Sequence, residues 1–121
     1  MVERQQNSTG LQSNVGGLLA YLAGWITGLI FYLLEEKDEF IRFHAMQSIV
    51  TFGFLTAVHI FLGFLQWIPY IWVLFLIIQI LVGIFTFVLW IVLMVRAYQG
   101  RRFKLPVAGD LAERYSAPRP R

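Results

Sequence analysis

Between Arg42 and Arg96 the chain runs for 53 residues without one Asp, Glu, Lys or Arg. A soluble domain of 121 residues has too little interior to hide so long an uncharged, aromatic-rich stretch. Lipid can hold it. Crossing about 30 Å of hydrocarbon at about 1.5 Å per residue takes roughly 20 residues, so the stretch supplies two spanning helices and a tight turn. A third apolar run, Val15 to Leu34, lies upstream. The pattern predicts an all-α integral membrane protein: a three-helix transmembrane bundle with a polar N-terminal tail and a basic C-terminal juxtamembrane tail.

The boundaries follow from punctuation. Residues 1–14, MVERQQNSTGLQSN, carry both charge signs and read as a flexible polar tail rather than a cleavable signal. The transmembrane domain covers 15–95, with spans at 15–34, 43–65 and 70–95. Between the first two lies the connector EEKDEFIR, where Asp38 is a plausible N-cap for a helix beginning near Glu39. Pro69 breaks the long uncharged stretch, flanked by Trp67, Tyr70 and Trp72 as at a lipid–water boundary. Residues 96–121 form the basic cytoplasmic tail. Cysteine is absent, which removes disulfides and thiolate chemistry.

With three spans, Lys37, Arg42, Arg96, Arg101, Arg102, Lys104, Arg114, Arg119 and Arg121 fall on one side, and only Arg4 on the other. The excess of basic residues marks the cytoplasm. The expectation is a prokaryotic plasma (inner) membrane protein, multi-pass, with its N-terminus outside and its C-terminus in the cytoplasm.

In the second span His44, Gln47, Ser48, Thr51 and His59 fall within an arc of about 120° at 100° per residue. Such a stripe must face another helix or a wet cavity, as interhelical hydrogen bonding or as a path with titrating histidines. Gln79, Gly83, Thr86 and Trp90 form a stripe on the third span that is expected to pack against it. In the first span Gly17, Ala20, Gly24 and Gly28 make a small-residue face for close helix approach. His44, beside Glu35, Glu36, Asp38 and Glu39, is expected to keep carboxylate company. No span carries a carboxylate, so a Ser48–His44 nucleophile lacks its orienting acid; no catalytic residue, metal site or cofactor is expected. Arg96, Arg101, Arg102 and Lys104 alternate with aromatic residues. They suit anionic lipid headgroups, at about 1 kcal/mol per cation near the surface, better than nucleic acid.

Three stretches together resemble a known group. Gly28-Leu29-Ile30-Phe31 through Glu35-Glu36-Lys37, then Arg42-Phe43-His44-Ala45-Met46-Gln47-Ser48, then Ala97-Tyr98-Gln99-Gly100 with Lys104-Leu105-Pro106 and Gly109-Asp110-Leu111-Ala112, resemble the Tic twenty-like small prokaryotic membrane proteins. That group takes its name from the chloroplast inner-envelope import component. The resemblance covers roughly residues 11 to 115 and singles out Arg42, His44, Gln47, Gly100, Pro106 and Gly109; it supplies no catalytic residues. The function expected is a non-catalytic accessory or assembly subunit of a larger membrane complex, bound to the bilayer and to other subunits. The alternative is a homo-oligomeric pore or carrier, related to transport or protein translocation, lined by the polar face of the second helix.

Overall fold

The computed structural model describes residues 8–118; residues 1–7 and 119–121, with Arg4, Arg119 and Arg121, lie outside the described residues. Five helices follow one another: α1 (Ser13–Leu22), α2 (Trp25–Leu34), α3 (Glu39–Leu65), α4 (Trp72–Tyr98) and α5 (Ala108–Arg114). Two of them, α3 and α4, each 27 residues, are long and apolar enough to cross a membrane. α3 takes in the expected 43–65, and α4 starts after Pro69 and passes the expected end at 95.

The first apolar run departs from expectation. It is not one span but two ten-residue helices, each about 15 Å long, broken at Ala23–Gly24. Gly24 adopts φ +63°, a backbone state that disfavours side chains with a Cβ. Contacts along α3 give the direction of each piece. Gly16 lies on Ile41, Gly17 on Phe40 and His44, and Gly24 on Phe52; Gly28 then lies back on Ala45 and Ser48. Ser8 and Thr9 meet Glu35. α1 therefore runs along α3 to the level of Phe52, and α2 returns: the pair is a helical hairpin of half depth. A run of small residues lets it lie close. A Cβ on Gly28 would stand 2.8 Å from the Ala45 carbonyl oxygen, and one on Gly17 2.9 Å from the Phe40 ring.

This hairpin corrects the topology. The start of α1, the end of α2, the start of α3 and the end of α4 share one end of the molecule, where Asn14 Nδ2 donates to the Tyr98 carbonyl at 3.1 Å. The described N-terminal and C-terminal residues thus lie together, not on opposite sides as three spans would require. Residues 8–12 are not a loose tail either, since the Glu35 carboxylate holds Ser8 and Thr9. Asp38 caps α3 by accepting from Phe40 N at 2.9 Å and also accepts from the Ser13 hydroxyl.

The buried core, Tyr21, Phe52, Leu55, Leu93 and Ala97, sits where the hairpin covers α3 and α4. Toward the far end of the two long helices, Phe61, Phe64, Leu81 and Ile84 are exposed.

Candidate functional site

The polar residues at the start of α3 converge on a single clasp. Its centre is Tyr21, fully buried on α1. Gln47 Nε2 donates to the Tyr21 hydroxyl at 2.9 Å, and that hydroxyl meets His44 Nδ1 at 2.7 Å. His44 Nε2 lies 2.9 Å from the Arg101 carbonyl oxygen, which can only accept. The imidazole therefore donates at Nε2 and accepts at Nδ1, and the tyrosine hydroxyl donates to it. Gln47 completes the clasp with its second N–H on the Phe103 carbonyl at 2.8 Å and its oxygen on Leu105 N at 2.9 Å. Ser48 donates to the Gly24 carbonyl at 2.7 Å, tying the hairpin tip to α3. On the far side of Tyr21, Trp90 Nε1 reaches its carbonyl at 2.7 Å from α4.

The residues after α4 are thereby held against α3 by their backbone, which the expectation of a basic juxtamembrane tail on lipid headgroups did not include. Gly100, at φ +80°, closes α4: its N–H bonds Ala97 and the Arg101 N–H bonds Arg96, each at 3.0 Å. This is a Schellman ending, which needs a left-handed residue at that place. Residues 101–105 then lie extended over His44 and Gln47, Pro106 and Val107 turn the chain, and α5 packs on α3. Gly109 sits inside α5, where a Cβ would stand 2.7 Å from Lys104 Cβ.

Two charged groups lock the same end. Arg42 is 2% exposed and has no carboxylate partner among the described residues. Its Nη1 donates to the carbonyls of Tyr32 at 2.9 Å and Glu35 at 2.7 Å, its Nε to Ala117 at 3.1 Å, and its guanidinium lies over the Tyr32 ring. It thus satisfies the carbonyls at the C-terminal end of α2 while meeting the negative end of that helix dipole. Glu35 accepts from the backbone N–H of Ser8, Thr9, Lys37 and Asp38 and from the Thr9 hydroxyl. Burial alone would raise its carboxyl, but the N–H groups of Ser8, Asp38 and Lys37 and the Thr9 hydroxyl outweigh it and hold it below the ordinary carboxylate value.

The remaining expected residues scatter. Both His44 nitrogens are taken, and not by carboxylates; Glu39 turns to Arg102 instead, at 3.9 Å. Thr51 is buried, its hydroxyl without a hydrogen-bond partner among the described residues. His59, Gln79 and Thr86 stand in the outer half: His59 Nε2 meets Thr86 Oγ1 at 3.4 Å, Gln79 Nε2 donates to the His59 carbonyl at 3.3 Å, and Gln66 meets Gln79. The two polar stripes thus meet only there; nearer the charged end the α3 stripe faces α1 and residues 101–105. Ala20 is fully buried and Gly83 leaves open space, its Cβ position 3.8 Å from His59. Of the basic residues, Lys104 pairs with Glu113 at 2.8 Å and Asp110 at 3.2 Å, and Arg96 lies over the Phe103 ring. Tyr21 and Glu35, the two hubs, are legible in the sequence only as one hydroxyl inside an apolar run and one of four acids in the connector that follows it.

Residues 5–112 match the magnetosome magnetite crystal formation protein family, MamF/MmsF. The chain belongs to this family. A UPF0132 membrane protein of Methanocaldococcus jannaschii is 49% identical over 116 residues, covering 96% of this chain and 99% of its own length. A second from that organism is 51% identical over 106 residues, 88% of this chain and 71% of its own. One from Archaeoglobus fulgidus is 47% identical over 103 residues, 85% and 94%. No solved structure matches. The Tic twenty-like resemblance is therefore overturned, since neither the family nor these relatives point to the import component. The residues that suggested it, Arg42, His44, Gln47, Gly100, Pro106 and Gly109, belong to the clasp, the Schellman ending and the turn into α5. They report this packing, not an import role. The chain is a member of a membrane protein family.

Proposed function

We propose that the chain is a non-catalytic membrane subunit, embedded in a prokaryotic plasma membrane and working by docking against other membrane subunits. The observation that carries this is where the polar groups are spent. His44, Gln47 and Ser48 are fully buried and bonded within the chain, which favours a packing role for them over a pore lining. What α4 turns outward is apolar: Leu74, Ile77, Leu81, Ile84, Val88, Ile91 and Val95 are exposed and alternate at spacings of three and four. Branched side chains at that repeat present a smooth seam to a second helix.

With the hairpin entering and leaving at one end, the Lys and Arg of the described residues fall at that end. The loop from Gln66 to Ile71 has none. The charged end is then cytoplasmic, residues 8–12 and the segment after α4 with it. Arg96 and Arg101 at this end suit anionic headgroups. The membrane placement is supported by the archaeal relatives, which are named membrane proteins.

Native mass determination after gentle extraction in nanodiscs tests it. Stoichiometric foreign subunits, lost in an Ile84→Ala, Val88→Ala variant that remains folded, are expected. Isolated monomer alone would contradict the reading.

A further inference from the structure

The charged end and the far end of the molecule differ in girth. At the charged end α1, α2, α3 and α4 lie side by side, with residues 101–105 and α5 laid on α3. The buried residues of α3, all but Leu62, fall between Ile41 and Leu55, and those of α4 are Leu93 and Ala97. Length accounts for the difference. α1 and α2 have ten residues each and reach about 15 Å, whereas α3 and α4 have 27 each and run about 40 Å. The hairpin is tethered at the charged end by Asn14 on Tyr98 and by Arg42 on Tyr32 and Glu35, so it cannot reach the far one. Below its tip Trp25, Phe52, Thr56, His59 and Trp90 wall an open groove, and no further helix of the described residues lies there.

The outer face of the hairpin places it in lipid. Leu22, Ile26, Leu29, Ile30, Leu33 and Leu34 are exposed, and so apolar a surface belongs in hydrocarbon. Two helices about 10 Å across then add roughly 150 Å² to one leaflet and none to the other. A bilayer relieves that mismatch by bending with the enlarged leaflet on the convex side, as it does for helices seated in one interface. Inserted the other way round, the same chain favours the opposite bend. We propose that the chain is a wedge that reads membrane curvature, partitioning into bilayers whose leaflet at its charged end is convex. The inference rests on the membrane placement proposed above and not on docking to other subunits.

The test uses the full chain as two single-cysteine variants at exposed positions, Gln12→Cys at the charged end and Trp67→Cys at the far end. Each is reconstituted with neutral phosphatidylcholine in one detergent removal, and the vesicles are fractionated by size. An impermeant maleimide then reads, fraction by fraction, which end of the chain faces out. The ratio of charged-end-out to charged-end-in chains should be about threefold higher or more in vesicles about 30 nm across than in those about 200 nm across. Position 67 should show the reciprocal change. An unchanged ratio, or a higher one in the large vesicles, would overturn the proposal. Labelling of positions 12 and 67 from one side would overturn it as well. Alkaline carbonate separates the two readings: a chain stripped from both sizes was never embedded and sinks both, whereas an embedded chain with an unchanged ratio sinks the wedge alone.

Discussion

Gln47 makes three hydrogen bonds with one amide, and each joins α3 to a different place: the Tyr21 hydroxyl, the Phe103 carbonyl and the Leu105 N–H. Truncation leaves those groups without a partner in a buried setting, where each orphan costs about 1–3 kcal/mol. Gln47→Ala should therefore lower unfolding stability by about 2–4 kcal/mol. Amide hydrogen exchange should show where, with protection of Leu105 lost while mid-α4 amides keep theirs. Glu35 gives a pH signature. Its carboxyl is held below the ordinary value, so its contribution is complete above the unfolded value of 4.5 and is lost as pH falls through the folded value. Acid below that window should release residues 8–12, and Glu35→Gln should release them at neutral pH, at a cost of about 1.5–3 kcal/mol. Exchange at the Ser8 and Thr9 amides measures both. The glycines separate by contact in the same way. Gly28→Ala drives a Cβ to 2.8 Å from a backbone oxygen, whereas Gly83→Ala meets nothing nearer than 3.8 Å. The first should destabilise by about 1–3 kcal/mol and the second by much less, as thermal unfolding in detergent would report.

At the scale of elements, the long helices were the most legible part. Fifty-three uncharged residues interrupted by one proline admit two helices and a turn, and Asp38 marks the start of α3 through its own side chain. The first apolar run misled because its length suits a span while its glycines serve two purposes. Gly17 and Gly28 permit close packing; Gly24, in the same four-residue register, breaks the helix instead. Nothing in the residue types distinguishes these roles, since only the fit against Ala45, Ser48 and Phe52 decides them. The C-terminal segment misled for a related reason. Its basic and aromatic residues suit a lipid surface, but backbone groups, which carry no sequence label, hold Arg101, Phe103 and Leu105 against α3. A consequence belongs to this scale: Gly109→Val should push Lys104 away and lift residues 101–105 off the clasp. Trypsin should then cut after Arg101, Arg102 and Lys104 rapidly, where the parent chain resists. Equal cleavage rates would contradict the clasp.

For the whole molecule, a half-depth hairpin places the charged side chains of the described residues at one end. The uncharged apolar stretch points to a membrane bundle and the basic excess to its orientation, yet whether the chain crosses three times or twice depends on a break at Ala23–Gly24. The absence of native cysteine makes the question directly measurable. Single substitutions Gln12→Cys, Trp67→Cys and Ala117→Cys, at exposed positions, can be probed in oriented membranes with an impermeant maleimide. The account expects positions 12 and 117 to label from the same side and position 67 from the other. Labelling of 12 together with 67, and apart from 117, would mean three spans and would contradict it.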